Sequence, residues 1–216
     1  GVAFIQPNRL IVIGGYSDGK FVNTCAEFDT EKRIWKSGDE VPPPMFTERY
    51  DFGVQVIGKF IFTFGGYTHG HQLSCTEVLD IERNEWKSKS QMPTARQGMA
   101  VACVDGRHIW TFGGFCSGVD LDVIEVYDVI EDEWSVPNNV KTTTGAYSSK
   151  AVVIDEKIFV VGGRGREFSL EIFNPDDLTW NQSTFNEILS GLAWCNNCFL
   201  KKMKNLFKNT LFFFCS

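Results

Sequence analysis

Four short apolar runs organise the chain: IVIGG ending at Gly14–Gly15, FTFGG at Gly65–Gly66, WTFGG at Gly113–Gly114 and FVVGG at Gly162–Gly163. Past each second glycine comes a turn residue, Asp29, Asp80, Asp128 and Asn174, at distances of 14, 14, 14 and 11 positions. Six positions further stands a tryptophan: Trp35, Trp86, Trp134 and Trp180. The first glycines are 51, 48 and 49 residues apart, so the chain is a repeat.

The second repeat shows the unit most clearly. Asp51 to Ile57 reads as a first strand, Gly58 as its turn, and KFIFTF as a second strand with Phe60, Phe62 and Phe64 on one side and Ile61 and Thr63 on the other. A strand with two apolar faces belongs inside a stack of sheets. After the loop from Tyr67 to Ser74, CTEVLD is a third strand, and Asp80 closes its turn by bonding the backbone two residues on. Glu85 to Ser88, around Trp86, is the fourth. The third repeat runs GMAVACV, Asp105-Gly106, HIWTFGG and VIEVYD, with a pair suited to a type I′ hairpin at Asp105-Gly106. The fourth runs KAVVI, KIFVVGG, a loop three residues shorter, and SLEIFN. Only Gly1 to Ile5 precede the Pro7-Asn8 turn, which predicts a shortened opening strand for the first.

Four-stranded units at this period resemble the blades of a kelch β-propeller. The Gly-Gly pair, the aromatic or apolar residue before the turn (Phe28, Leu79, Tyr127, Phe173) and the Trp all fall where that family has them. Met92-Pro93-Thr94-Ala95-Arg96 is similar to the family's Pro-x-x-Arg linker. The resemblance covers residues 1 to about 182 and implies an all-β fold of four antiparallel blades, approximately 1–44, 45–92, 93–140 and 141–182. Family propellers have six or so blades, so four imply an incomplete ring. Residues 183–216 hold a candidate start of a fifth blade, LAWC, but no Gly-Gly follows it. The Lys/Asn/Phe/Leu-rich tail has two readings. One is a helix or anchor with a stripe of Leu200, Met203, Leu206, Phe207 and Leu211. The other, preferred, is translated non-coding sequence, because those four residue types have A/T-rich codons.

Composition narrows the function classes. At 43% apolar and 22% charged residues the chain can build a core. No run approaches the roughly 18 apolar residues of a membrane span, and no basic leader precedes the first strand, so the expectation is a soluble, cytoplasmic chain and, since it opens on Gly1, a fragment. A net charge of -6 opposes general nucleic-acid binding. Of seven cysteines, Cys25, Cys75, Cys103 and Cys116 fall in or beside strands and read as reduced core residues. Cys195 and Cys198 have zinc-knuckle spacing without the four ligands a structural site needs. His69 and His71 sit in a Gly-containing loop, far in sequence from His108. Gly162-Gly163-Arg164-Gly165 lacks dinucleotide-fingerprint spacing, and there is no Gly-x-Ser-x-Gly elbow. Galactose oxidase shares the propeller and uses copper, but none of its ligands can be placed here by a match. The expectation is a non-enzyme with no cofactor and no metal.

Strand order predicts a binding face. In a four-stranded antiparallel blade, the post-Gly-Gly loops and the linkers between blades open on one side, and the hairpin turns on the other. Loops on a rigid scaffold carry function. Tyr16, Tyr67, His69, Phe115, Arg164 and Arg166 from the loops, with Arg49 and Arg96 from the linkers, are the candidate partner-binding residues. For Arg49 and Arg96 the alternative is a bond to the backbone of the adjacent blade. Gly145 stands about where a third linker Arg would be. Arg164 and Arg166 are the best candidates for holding an acidic or polar segment. The resemblance implies the substrate-recognition propeller of kelch-like proteins, whose BTB and BACK domains recruit a cullin ubiquitin ligase; neither domain is within these residues. The alternative is an actin-binding, cytoskeletal kelch protein, and an enzyme of the galactose-oxidase type comes third.

Overall fold

The computed structural model describes residues 1–142, 147–163 and 169–184. They form four antiparallel four-stranded sheets in series, as expected from the four runs. Blade 1 holds β1 (Val2–Ile5), β2 (Arg9–Ser17), β3 (Lys20–Asp29) and β4 (Ile34–Trp35). Blade 2 holds β5 (Gly53–Ile57) and β6 (Phe60–Phe64), a small hairpin of β7 (Tyr67–Thr68) and β8 (His71–Gln72), then β9 (Thr76–Asp80) and β10 (Glu85–Lys89). Blade 3 repeats this with β11 (Ala100–Cys103), β12 (His108–Phe112), β13 (Phe115–Cys116), β14 (Val119–Asp120), β15 (Ile124–Asp128) and β16 (Glu133–Ser135). Blade 4 holds β17 (Lys150–Ile154), β18 (Lys157–Val161), β19 (Ser169–Asn174) and β20 (Thr179–Thr184). The first blade opens on the four-residue β1, the same length as β11 in blade 3, so its opening strand is not set apart by the early Pro7-Asn8 turn. Among the described residues there is no α-helix, none therefore to cross a membrane, and no closed ring.

The blades meet along their inner strands: β1 touches β5, β5 touches β11, and β11 touches β17. Two backbone bonds lace the strand entrances together, Gly98 N–H to Asp51 O and Ser148 N–H to Gly98 O, both at 2.8 Å. The core lies in three seams between neighbouring blades. Ile11 and Ile13 pack on Ile61, Leu79 and Trp86; Phe62 and Phe64 on Ile109 and Tyr127; Trp110 and Phe112 on Ile158 and Phe173. The Gly-Gly pair explains the tightness of the middle seam. Gly65 and Gly66 have φ of +56° and +104°, and a Cβ on either would sit 2.5 Å from Arg96 O or 2.8 Å from Tyr50 O. Only residues without side chains allow the following linker, at Arg96, and the preceding one, at Tyr50, so close.

Each blade's last turn is closed by its Asp or Asn. Asp29, Asp80 and Asp128 accept the N–H groups two and three residues on, and Asn174 accepts that of Asp176. The Asp105-Gly106 turn differs from the type I′ expectation. Only Gly106 is left-handed, at φ +73°. The turn widens over Val104 to Arg107, and the Asp105 carboxylate closes it by accepting from Arg107 N–H at 2.9 Å and His108 N–H at 2.7 Å.

The tryptophans are not equivalent. Trp86 is 4% exposed and its Nε1–H donates to Pro43 O at 2.8 Å. Trp134 repeats that bond, to Ser90 O at 2.9 Å. Trp35, in the same repeat position, is 60% exposed. It stands on the face of blade 1 turned away from blade 2, against Phe28 at a ring separation of 5.1 Å.

Candidate functional site

The linker arginines take the structural alternative. Arg49 and Arg96, expected among the partner-binding residues, are both 0% exposed, so neither guanidinium reaches the loop face. Arg49 enters blade 2 and donates to Gly65 O at 3.0 Å, Cys75 O at 3.2 Å and Thr63 Oγ1 at 2.8 Å, with Glu77 Oε1 at 3.1 Å. Arg96 does the same in blade 3 with Gly113 O and Val123 O, and pairs with Glu125. Burial lowers both guanidinium pKa values; Cys75 and Glu77 oppose it at Arg49, and Glu125 opposes it at Arg96. Each arginine thus locks the carbonyl of the first repeat glycine to the third strand of its own blade. The carboxylates were the unrecognised half of this device. Their signal is a Glu three places before the turn Asp, in EVLD and EVYD.

What the loop face does present is a row of rings and amides crossing all four blades. Tyr16 (59% exposed) meets Phe21 edge-on at 5.2 Å, and Phe21 stacks on Tyr50 at 5.8 Å. Phe21 also touches Tyr67 at 6.1 Å and the His69 ring at 4.9 Å, and Tyr50 meets Tyr67 edge-on at 5.6 Å. His69 bonds Glu48. The row continues through Gln97, whose amide nitrogen donates to Asp51 Oδ2 and Tyr147 OH, each at 3.3 Å, and whose oxygen accepts from Gln72 at 3.1 Å. Tyr147 packs on Phe115 at 5.2 Å. Tyr16, Tyr67, His69 and Phe115 therefore lie on one surface, with the first three in one cluster around Phe21. Arg164 and Arg166 lie outside the described residues, as does Gly145.

Four members of this row were not foreseen: Phe21, Tyr50, Gln97 and Tyr147. Phe21 pairs with Tyr16 across the first hairpin. Tyr50 and Gln97 each follow a linker arginine by one residue, and each bridges to the residue directly after the next Gly-Gly, Tyr67 and Phe115. The arginine turns into its blade while its neighbour turns to the loop side, half-buried at Tyr50 and buried at Gln97, because a strand-like backbone sends successive side chains to opposite sides. That places the recognition side chain one position past each linker arginine.

The opposite face is built from turns. An opening of about 300 Å³ between blades 3 and 4 is lined by Val104, Asp105, His108, Trp110, Pro175 and Asp176. His108 Nδ1 contacts Asp105 at 2.5 Å, and Arg107 forks onto both oxygens of Asp128. The neighbouring Cys103 thiol is pushed up to about 11 by burial, so it stays protonated. Cys25, Cys75, Cys103 and Cys116 are all free and half-buried. Among the described residues no group of three or more His, Cys, Asp or Glu converges on one point.

Repeat, sheet order and blade seams together define a kelch-repeat propeller domain, and comparison with known families agrees. The KLHDC2/KLHL20/DRC7 Kelch-repeats domain matches residues 2–206, and the chain belongs to this family. It is similar to an F-box/kelch-repeat protein of Arabidopsis thaliana, 26% identical over 142 residues, covering 66% of this chain and 35% of the relative. It is also similar to mouse Kelch-like protein 38, 33% identical over 99 residues, and mouse Kelch-like protein 23, 28% identical over 99 residues. These cover 44% and 45% of this chain and 16% of each relative. The chain thus spans about a third or less of the length of the relatives it matches.

Proposed function

We propose that this chain is the partner-recognition part of a ubiquitin-ligase adaptor of the kelch-like kind, working in the cytoplasm, and that its loop face holds a short segment of a protein destined for ubiquitylation. The observation that carries the reading is the ring-and-amide row from Tyr16 to Phe115. Tyrosines and phenylalanines that are only partly covered, set on four rigid sheets and tied by Gln97, offer large contact area at little conformational cost. The relatives support the adaptor side of the reading, since one is named for an F-box beside its kelch repeats and others are kelch-like proteins.

The test is immunoprecipitation of the full-length protein containing this chain, from cells in which the proteasome is inhibited. Expected are a cullin and a bound partner, the partner being lost and its ubiquitylation falling when Tyr16 and Phe115 are changed to Ala. Sedimentation with filamentous actin, without a cullin, would favour the cytoskeletal reading instead.

A further inference from the structure

The loop face is unevenly charged, and the unevenness points to a partner chemistry. In the half made by blades 1 and 2, the loops 16–21 and 67–74 and the linker 45–51 carry three carboxylates, Asp18, Glu48 and Asp51. Of the two Lys or Arg residues in the same segments, Arg49 is buried against Glu77, which leaves Lys20. Each carboxylate is tied to the rings gathered on Phe21: Asp18 lies in the turn that joins Tyr16 to Phe21, Glu48 bonds the His69 ring that touches Phe21, and Asp51 directly follows Tyr50. Aromatic faces carry the negative part of the ring quadrupole and attract a cation placed over them. The chain uses that attraction itself, with the Arg49 guanidinium 5.3 Å from the Phe52 ring and the Lys59 ammonium 5.5 Å from that of Phe60. The Tyr50 phenol is pushed up first by burial and next by Asp51, whose carboxylate therefore acts close to that ring.

We infer that the segment held by the blade 1–blade 2 half of the loop face is cationic, presenting a lysine or arginine to the rings of Tyr16, Phe21 and Tyr50, with Asp18, Glu48 and Asp51 as balancing charges. The inference rests on the loop face being the partner-binding surface and adds the partner's charge. It runs opposite to the acidic partner that Arg164 and Arg166 suggest from sequence.

A random peptide library panned on the full chain tests it, with the selected peptides titrated by fluorescence polarisation against variants whose folding is checked by thermal melting. Expected is enrichment in Lys and Arg. Affinity should fall about fivefold in Tyr16→Leu, which keeps apolar bulk and removes the π face, and by a similar factor in Asp51→Asn, which keeps an acceptor for Gln97. Raised salt should weaken binding further. Arg164→Ala with Arg166→Ala should leave these peptides bound. Acidic or neutral peptides that are lost in the double arginine variant, and indifferent to Tyr16→Leu and Asp51→Asn, would overturn the cationic partner while leaving the loop face as the binding surface. Peptides indifferent to every loop-face change but lost on altering Glu82 or Glu131 in the turns, or an empty selection, would overturn both.

Discussion

Blades 2 and 3 share a buried device that blade 1 lacks, though all three carry the same Gly-Gly, Asp and Trp marks. In blade 2 the device is Arg49, Thr63 and Glu77, and in blade 3 Arg96, Thr111 and Glu125; all six are nearly or fully buried. Blade 1 has Val12 and Ala26 where the others have Thr and Glu. Its tryptophan is exposed, while Trp86 is sealed and hydrogen-bonded. Blade 4 is intermediate, with Val160 in place of Thr and a buried Glu171. The local marks therefore specify a sheet, and only a preceding blade turns its tryptophan into core. A strand pattern is satisfied within its own residues; a blade seam needs two partners.

The strongest way to break the comparison is to orphan a buried charge. Arg96→Met should destabilise the chain by about 3–5 kcal/mol, because Glu125 is left buried without its partner, and the double change Arg96→Met with Glu125→Leu should recover most of that. Urea unfolding of the two single variants and the pair measures it; additive losses would mean the pair is not coupled. Next comes Trp86→Ala, expected to cost about 3 kcal/mol through the cavity and the freed Pro43 carbonyl.

The turns come third, through acid. Arg107 holds the Asp128 carboxyl well below its usual range, and the backbone N–H groups of Lys32 and Glu31 hold Asp29 low. Burial alone would raise Asp105, but His108 and the N–H of Arg107 outweigh it and hold it at about 2. Depressed carboxylates stabilise the fold above their unfolded pKa of about 4 and cease to do so as the folded pKa is passed. Stability should therefore fall between about pH 4 and pH 2, and Asp128→Asn, followed by circular dichroism against pH, should flatten part of that slope. The smallest effect is expected at Trp35→Ala, below about 1 kcal/mol, since that ring already stands in solvent. A loss matching that of Trp86→Ala would show that the two blades are not different after all.

What was legible in the sequence was local. The Gly-Gly pairs, the alternation in KFIFTF and the Asp turns each depend on residues a few places apart, and the strands form where these predict. The depth of Arg49 and Arg96 was not legible, because it depends on glutamates 28 and 29 residues downstream. Exposure of Trp35 depends on which neighbour covers it, which no residue of its own repeat encodes. The loop-face row was half legible: Tyr16, Tyr67 and Phe115 follow their Gly-Gly pairs directly and His69 comes two residues after Tyr67, whereas Phe21, Tyr50, Gln97 and Tyr147 join them only through pairings across the chain. The expectations for Arg164, Arg166, Gly145 and the tail lie outside the described residues.

The arginine clamps also bear on how such a chain can lengthen. Both ends of each buried ion pair come from one linker and the blade directly after it: Arg49 with Glu77, Arg96 with Glu125. A gene duplication or deletion that moves a whole linker-plus-blade unit carries cation and anion together, so the copy number of blades can change without leaving a lone charge in the interior. A cut between linker and blade would separate them. The interior chemistry therefore sets the unit in which this molecule can be copied, and that unit begins at the linker rather than at the first strand.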